Sequence, residues 1–151
     1  RIFAEYERLA EQMLQRHDFN FFHFNVDLSQ GPCVIKRMRG CGAGCEYVAV
    51  TPEGDIYPCH QFVGNLEYRL GNITDGTFDM SISDRFSALN IYTREDCKHC
   101  WARFYCSGGC SASNLLVNGD IAKPHFVGCE MERKRLECAI AMKAIEACSE
   151  S

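Results

Sequence analysis

The chain has 151 residues, of which 46% are hydrophobic and 24% charged, and its formal net charge is −4. This composition is ordinary for a domain that buries a core, and the acidic balance excludes a charged footprint for nucleic acid. No apolar run approaches the roughly 20 residues of a membrane span. The chain opens on Arg1 without a secretory signal, so we expect a cytoplasmic piece of a longer protein, without a nucleic-acid or membrane partner.

The first predicted element is a helix over residues 2–16, IFAEYERLAEQMLQR. Its apolar side chains recur with helical periodicity on one face, opposite a polar face. The apolar residues are Ile2, Phe3, Tyr6, Leu9, Ala10, Met13 and Leu14.

A strand is predicted over residues 21–28, FFHFNVDL, because apolar and polar side chains alternate. The polar row consists of His23, Asn25 and Asp27. A solvent-facing row is the common cause of such a pattern, and an inward row in a barrel lumen or an active site is the alternative.

A hairpin is predicted next, after a glycine-rich loop. Residues 47–50 and 56–62 are predicted to be its two strands, and Pro52, Glu53, Gly54 and Asp55 between them favour a turn. We expect residues 63–76 to be irregular and residues 81–90 to form a helix.

A long final helix is predicted over about residues 127–147. Four of its residues fall in one narrow stripe, which indicates core packing for the two thiols among them. They are Cys138, Ala141, Ile145 and Cys148.

Eleven cysteines are the unusual feature of the composition. In a secreted chain they would indicate disulfides, but the predicted elements supply a core, and an odd count leaves one thiol unpaired. The spacing favours metal or cluster ligation, with buried inert thiols as the plain alternative.

The spacing is densest in DCKHCWARFYCSGGC, residues 96–110, where Cys97, Cys100, Cys106 and Cys110 are separated by two, five and three residues. Thiolates two residues apart can reach a single metal or cluster face. Converging thiolates need a cation, and nearby glycines allow the backbone to approach a bulky centre. Further cysteines flank this loop; they are Cys41, Cys45, Cys59 and Cys129.

Taken together, these cysteines resemble the SPASM domain of radical S-adenosylmethionine enzymes. Twelve residues separate Cys41 from Gly54, GDIYPC joins Gly54 to Cys59, the quartet follows, and Cys129 closes the series. More narrowly, GCGAGCEYVAVTPEGDIYPCHQFVG and CWARFYCSGGC resemble maturases of SCIFF peptides, six-cysteine ribosomal peptides that acquire thioether cross-links.

The resemblance implies two auxiliary [4Fe–4S] clusters with interleaved ligands. Cys97, Cys100, Cys106 and Cys129 would bind the second cluster. The first would be bound by Cys41, Cys59 and Cys110, with Cys45 as the natural fourth ligand or as a displaceable one.

The resemblance also implies a partner and a missing part. The partner is a cysteine-rich precursor peptide. The catalytic core, with S-adenosylmethionine and a third cluster, is absent from this chain, so the piece alone is not expected to be catalytic.

The expected fold is α+β: a small cysteine-rich cluster-binding domain over residues 31–151, with a β-hairpin and a long C-terminal helix. Residues 1–30 would be the last helix and strand of the core's partial (β/α) barrel.

Two other functions remain open from the sequence. A structural zinc module could use the same eight thiols, and a stand-alone ferredoxin-like carrier is the third hypothesis.

His60, His99 and His125 are not needed as ligands, and Trp101, Phe104 and Tyr105 are expected to shield a cluster. Cys33 is a spare thiol, a substrate-facing residue or an alternative ligand.

Overall fold

Five α-helices and four short strands make up the regular structure of the residues that the computed structural model describes, which are 1–16, 18–28 and 38–149. In chain order they are α1 (Ile2–Gln15), β1 (Ala49–Val50), β2 (Asp55–Tyr57), β3 (Gly71–Asn72), β4 (Thr77–Phe78), α2 (Met80–Ser87), α3 (Arg103–Cys106), α4 (Ser111–Asn118) and α5 (Phe126–Ser149). The mixture confirms the α+β prediction. The predicted alternatives for Cys33 lie outside the described residues.

The chain forms two units: Arg1–Cys33 with Phe126–Ser151, called unit 1, and Val34–His125, called unit 2. The α5 helix thus groups with α1, whereas the predicted division joined it to the cysteine loops. The partial barrel stays a prediction.

The sheet lies in unit 2 and has the order β1-β2-β3-β4, with every pair antiparallel. Ala49 pairs with Tyr57, which confirms the hairpin. The second strand is shorter than predicted, since His60–Phe62 form a 3-10 turn. Strands β3 and β4 lie in and just beyond the region predicted to be irregular, because two-residue strands are too short to show an alternating pattern.

Asn72 organises the hairpin turn from within the sheet. Its side chain donates hydrogen bonds to the Glu53 carbonyl at 3.0 Å and to Asp55 Oδ1 at 2.9 Å. Gly54, at φ +89°, packs so closely that a Cβ there would lie 3.0 Å from Asn72 Oδ1. The glycine of the Gly-x4-Cys motif is therefore required by the turn that leads into Cys59.

The core of unit 2 joins the sheet to α2 and α4. Its centre is an aromatic trio, Phe62, Tyr68 and Phe86, in which the Phe62 and Phe86 rings meet edge to face at 5.3 Å. Helix α2 confirms the helix predicted over 81–90 and begins one residue earlier. Its N-cap is Asp79, whose side chain accepts a hydrogen bond from the Ser81 N–H at 2.8 Å.

Unit 1 is built on the packing of α1 against α5. The predicted first helix is confirmed, with Tyr6 and Ala10 buried. Of its predicted apolar face, Ile2 and Phe3 are exposed, at 53% and 42%. None of the helices in the described residues combines the length and apolar character needed to cross a membrane.

The strand predicted over residues 21–28 is wrong. Phe22–Phe24 form a 3-10 turn instead, with Phe24 buried against Tyr6. A strand needs a neighbour to complete its hydrogen bonds, whereas this segment is held by aromatic packing. His23 Nδ1 lies 3.4 Å from the Tyr6 hydroxyl, and Asn25 and Asp27 are exposed.

The final helix is confirmed and runs to Ser149, but the predicted buried stripe is wrong for three of its four residues. Cys138 is buried, while Ala141, Ile145 and Cys148 are exposed. The buried face of α5 includes Cys138, Ala139 and Met142, and Ala141 lies off that face.

Candidate metal centre

The hydroxyl of Tyr47 lies beside one thiol of unit 2 and close enough to two others for their charges to act on it. This hydroxyl donates a hydrogen bond to Cys41 Sγ at 3.7 Å. Partial burial, that hydrogen bond and the charges of Cys41, Cys59 and Cys110 raise the pKa of Tyr47 to about 12. We call Cys41, Cys59 and Cys110 the first thiol set; its members come from positions up to 69 residues apart in the sequence.

Each member of the first thiol set stands at the end of a different local structure. Cys41 follows the turn at Gly40, Cys59 precedes the 3-10 turn His60–Phe62, and Cys110 is the N-cap of α4. A Cβ on Gly40, at φ +72°, would lie 3.3 Å from the Ser107 carbonyl oxygen. The segment carrying Cys41 therefore lies against the turn that leads to Cys110.

Cys45 is placed differently from these three thiols. It is exposed, and its Sγ donates a hydrogen bond to the Gly42 carbonyl at 3.4 Å. The turn itself is fixed: the Gly44 N–H bonds to the Tyr47 and Pro58 carbonyls, both at 3.0 Å, and Ser83 Oγ donates to the Gly44 carbonyl at 2.7 Å. The structure thus holds Cys45 near the hairpin on a well-supported turn.

Cys97, Cys100 and Cys106, called the second thiol set, belong to one short stretch of chain. Cys97 is buried at the end of the 3-10 turn Glu95–Cys97, and the Cys100 N–H bonds to its carbonyl at 3.1 Å. Cys106 ends α3 and is half-buried. The predicted companion of this set, Cys129, lies in unit 1 near the start of α5 and is half-buried.

A cavity of about 630 Å³ opens between members of the two sets. Its walls are Gly40, Cys41, Tyr47, Gln61, Tyr105, Cys106, Ser107, Gly109 and Cys110. Across the described residues, no three His, Cys, Asp or Glu side chains gather tightly enough to hold one metal ion. The thiols instead border a space that has room for a larger group.

Arg94 places a buried positive charge beside both thiol sets. Only 5% exposed, it donates hydrogen bonds to the carbonyls of Ile121 at 2.7 Å and Ala122 at 2.9 Å, and to Ser111 Oγ at 3.0 Å. Burial lowers the pKa of Arg94, and negative charge at Cys97, Asp120, Cys106 and Cys110 opposes that shift. The guanidinium can thus offset thiolate charge while tying the cysteine loop to the end of α4.

Comparison with known protein families adds to this geometry. Residues 41–101 match the family model of the SPASM domain, described as an iron–sulfur cluster-binding domain. This region is similar to a SPASM domain. The matched segment holds five of the predicted ligands and supports the resemblance read from the sequence; the five are Cys41, Cys45, Cys59, Cys97 and Cys100.

A relative in Archaeoglobus fulgidus carries only the name "Uncharacterized protein". It is 30% identical to this chain over 109 residues, which cover 70% of this chain and 24% of the relative. The matched region therefore spans about a quarter of that relative's length.

The remaining predicted residues of the SPASM-like region fall into two groups. His60 and His99 are exposed, and His125 Nδ1 lies 3.5 Å from Ser113 Oγ. Of the three aromatic residues predicted to shield a cluster, Tyr105 lines the cavity, whereas Trp101 is 51% exposed. Shielding of a cluster by these three residues stays a prediction.

Sequence reasoning missed Tyr47, Gln61 and Arg94 as parts of the site. The sequence predicts that Tyr47 is an ordinary strand residue, and an arginine in a polar stretch is expected to lie at the surface. A signal was available only for Gln61, which directly follows the Cys-His pair of the predicted motif.

Proposed function

We propose that this chain is the auxiliary-cluster part of a radical S-adenosylmethionine enzyme and binds two [4Fe–4S] clusters. The observation that carries the proposal is that Cys41 and Cys110 border one cavity with Tyr47 and with Cys106 of the second set. Cys59 lies close enough for its charge to act on the Tyr47 hydroxyl. These are the positions that the family pattern pairs across the loop. Similarity of residues 41–101 to an iron–sulfur cluster-binding domain supports it.

The ligand sets follow the resemblance. The first cluster would be held by the first thiol set with Cys45 as the fourth ligand. The second cluster would be held by the second thiol set with Cys129. In this arrangement Cys110 binds a different cluster from its three neighbours in the loop and ties that loop back to the hairpin.

The residues present fit a cluster in their chemistry and in the space between them. Thiols are the ligands that iron–sulfur clusters use, and the cavity bordered by Cys41, Cys106 and Cys110 has a volume of about 630 Å³. The similarity of residues 41–101 to an iron–sulfur cluster-binding domain favours clusters over a zinc staple.

Buried residues of the chain would keep the ligands in place. Arg94 offsets negative charge from thiolates of both sets, and the aromatic core beneath Cys59 keeps water away from its sulfur. When bound, the clusters would supply one-electron transfer or an iron that binds a substrate thiolate.

For the whole protein we propose thioether formation in a cysteine-rich precursor peptide. A deoxyadenosyl radical, made in a core outside this chain, would take a hydrogen atom from a substrate carbon. The substrate's cysteine thiolate would bond to that carbon, and the surplus electron would pass to an auxiliary cluster. The match that spans about a quarter of a longer relative is consistent with this division.

The test uses the full-length protein that contains this chain, with a cysteine-rich precursor peptide and S-adenosylmethionine under reducing, anaerobic conditions. Cys59→Ala should abolish the loss of two hydrogen atoms per cross-link seen by mass spectrometry, while 5′-deoxyadenosine is still formed. Cys148→Ala, at an exposed thiol on α5, is the matched control and should cross-link normally. Normal cross-linking by Cys59→Ala would contradict the proposal.

A further inference from the structure

Two side chains outside the predicted ligand sets donate hydrogen bonds to thiols of the first set. The Tyr47 hydroxyl donates to Cys41 Sγ, and Gln61 Nε2 donates to Cys110 Sγ, each at 3.7 Å. Both donors line the cavity that the two thiols border. The two donors therefore belong to different segments of the chain and border the cavity in which the first cluster would lie.

The fold orients both donors through buried neighbours. Gln61 sits in the 3-10 turn next to Phe62, which is 2% exposed and packs in the aromatic core. Tyr47 lies two residues before β1, and its carbonyl accepts the Gly44 N–H at 3.0 Å. The backbone positions of the two donors are thus set by the sheet and the core, and each side chain reaches its thiol from there.

A hydrogen bond to a ligating sulfur favours the more electron-rich state of an iron–sulfur cluster. Reduction adds negative charge to the cluster and its thiolates, so an O–H or N–H pointing at a sulfur stabilises the reduced form more than the oxidised form. Removing such a donor should make the cluster harder to reduce.

We propose that Tyr47 and Gln61 are positioning residues that raise the reduction potential of the first cluster through hydrogen bonds to Cys41 and Cys110. The proposal rests on the function proposed above and adds the residues that tune its electron transfer. A cluster in contact with substrate must accept an electron at a suitable potential, and this pair adjusts that potential without ligating iron.

The test compares Tyr47→Phe and Gln61→Met with the parent in the complete, anaerobically reconstituted 151-residue chain. Both substitutions keep most of the side-chain volume and remove the donor. The readout is the midpoint potential of each cluster, from a redox titration followed by electron paramagnetic resonance. Each variant should shift one cluster to a more negative potential, and the double variant should shift it further than either alone.

Tyr105→Phe is the matched control. Tyr105 lines the same cavity, and the structure shows no hydrogen bond from its hydroxyl to another described residue. It should leave both potentials where they are in the parent.

The outcomes distinguish a failure of this inference from a failure of the proposed function on which it rests. A parent that binds no iron would overturn both. Full iron content with unchanged potentials in Tyr47→Phe and Gln61→Met would overturn the inference alone. Loss of iron from these variants would also contradict it, since the residues would then hold the site together instead of tuning it.

Discussion

The two thiol sets differ in how far apart their members lie in the sequence. The second set, Cys97, Cys100 and Cys106, lies within ten consecutive residues and is shaped by two short turns. The first set, Cys41, Cys59 and Cys110, is assembled from a turn, a hairpin end and a helix start. Closing a short loop costs little entropy, whereas gathering distant segments depends on the folded core. The first set should therefore be the more sensitive to changes in the fold.

The largest effect is expected from Cys106→Ser, which removes a member of the local set. Serine is a poor iron ligand, so the variant should lose about half of the iron of the reconstituted protein and unfold at a lower temperature. Cys148→Ser is the control for loss of an exposed thiol. Parental iron content and melting temperature in Cys106→Ser would refute the assignment of the second set.

Arg94→Met tests the link between the sets. It leaves the Ile121 and Ala122 carbonyls without their buried donor and removes the charge beside the thiols. We expect a loss of about 3 kcal/mol in the free energy of unfolding, measured in urea.

Arg94→Lys is the matched control, since it keeps the charge but cannot reproduce three hydrogen bonds. It should destabilise the chain while binding more iron than Arg94→Met. Equal iron loss in the two variants would show that the charge has no part in the site.

Asp55→Asn perturbs the hairpin of the first set alone. Hydrogen bonds from Asn72 and Arg69 hold the pKa of Asp55 below its ordinary value. A lowered pKa in the folded state stabilises at neutral pH, and this contribution is lost as the pH falls below about 4. The parent should exceed the variant in urea stability at pH 7, and the gap should close in acid.

Asp18→Asn provides the comparison for that experiment. Its partner is Arg16 in a largely exposed pair of unit 1, so its effect should be negligible. A gap between the parent and Asp55→Asn that is the same at pH 7 and in acid would refute the role assigned to Asp55.

The smallest effect is expected from Cys45→Ala. Cys45 is exposed and bonded only to the nearby Gly42 carbonyl among the described contacts. The reconstituted variant should keep a first cluster held by the first thiol set and should gain affinity for added thiols. Cluster spectra and a thiol response identical to those of the parent would show that Cys45 is not a ligand.

The same contrast explains what the sequence could predict. The second set is visible as a motif because its geometry is local, and α1 is visible because its apolar side chains recur with helical periodicity. The pairing of Cys41 and Cys59 with Cys110 is predicted only by the family resemblance, since no local pattern encodes an arrangement across 51 to 69 residues.

Other features of the structure could not be predicted from the sequence, for physical reasons. Residues 21–28 alternate like a strand, but alternation does not reveal whether a partner strand exists. Strands β3 and β4 have two residues each, too few for any pattern. The roles of Arg94 and Tyr47 depend on which segments surround them, and only the fold supplies that information.

The most direct test of the account is a count of iron, acid-labile sulfide and zinc per chain after anaerobic purification and reconstitution. Two [4Fe–4S] clusters predict about eight irons and about eight sulfides per chain, with broad visible absorbance. A colourless protein with about two zinc ions and no sulfide would contradict the account and establish a structural zinc module instead.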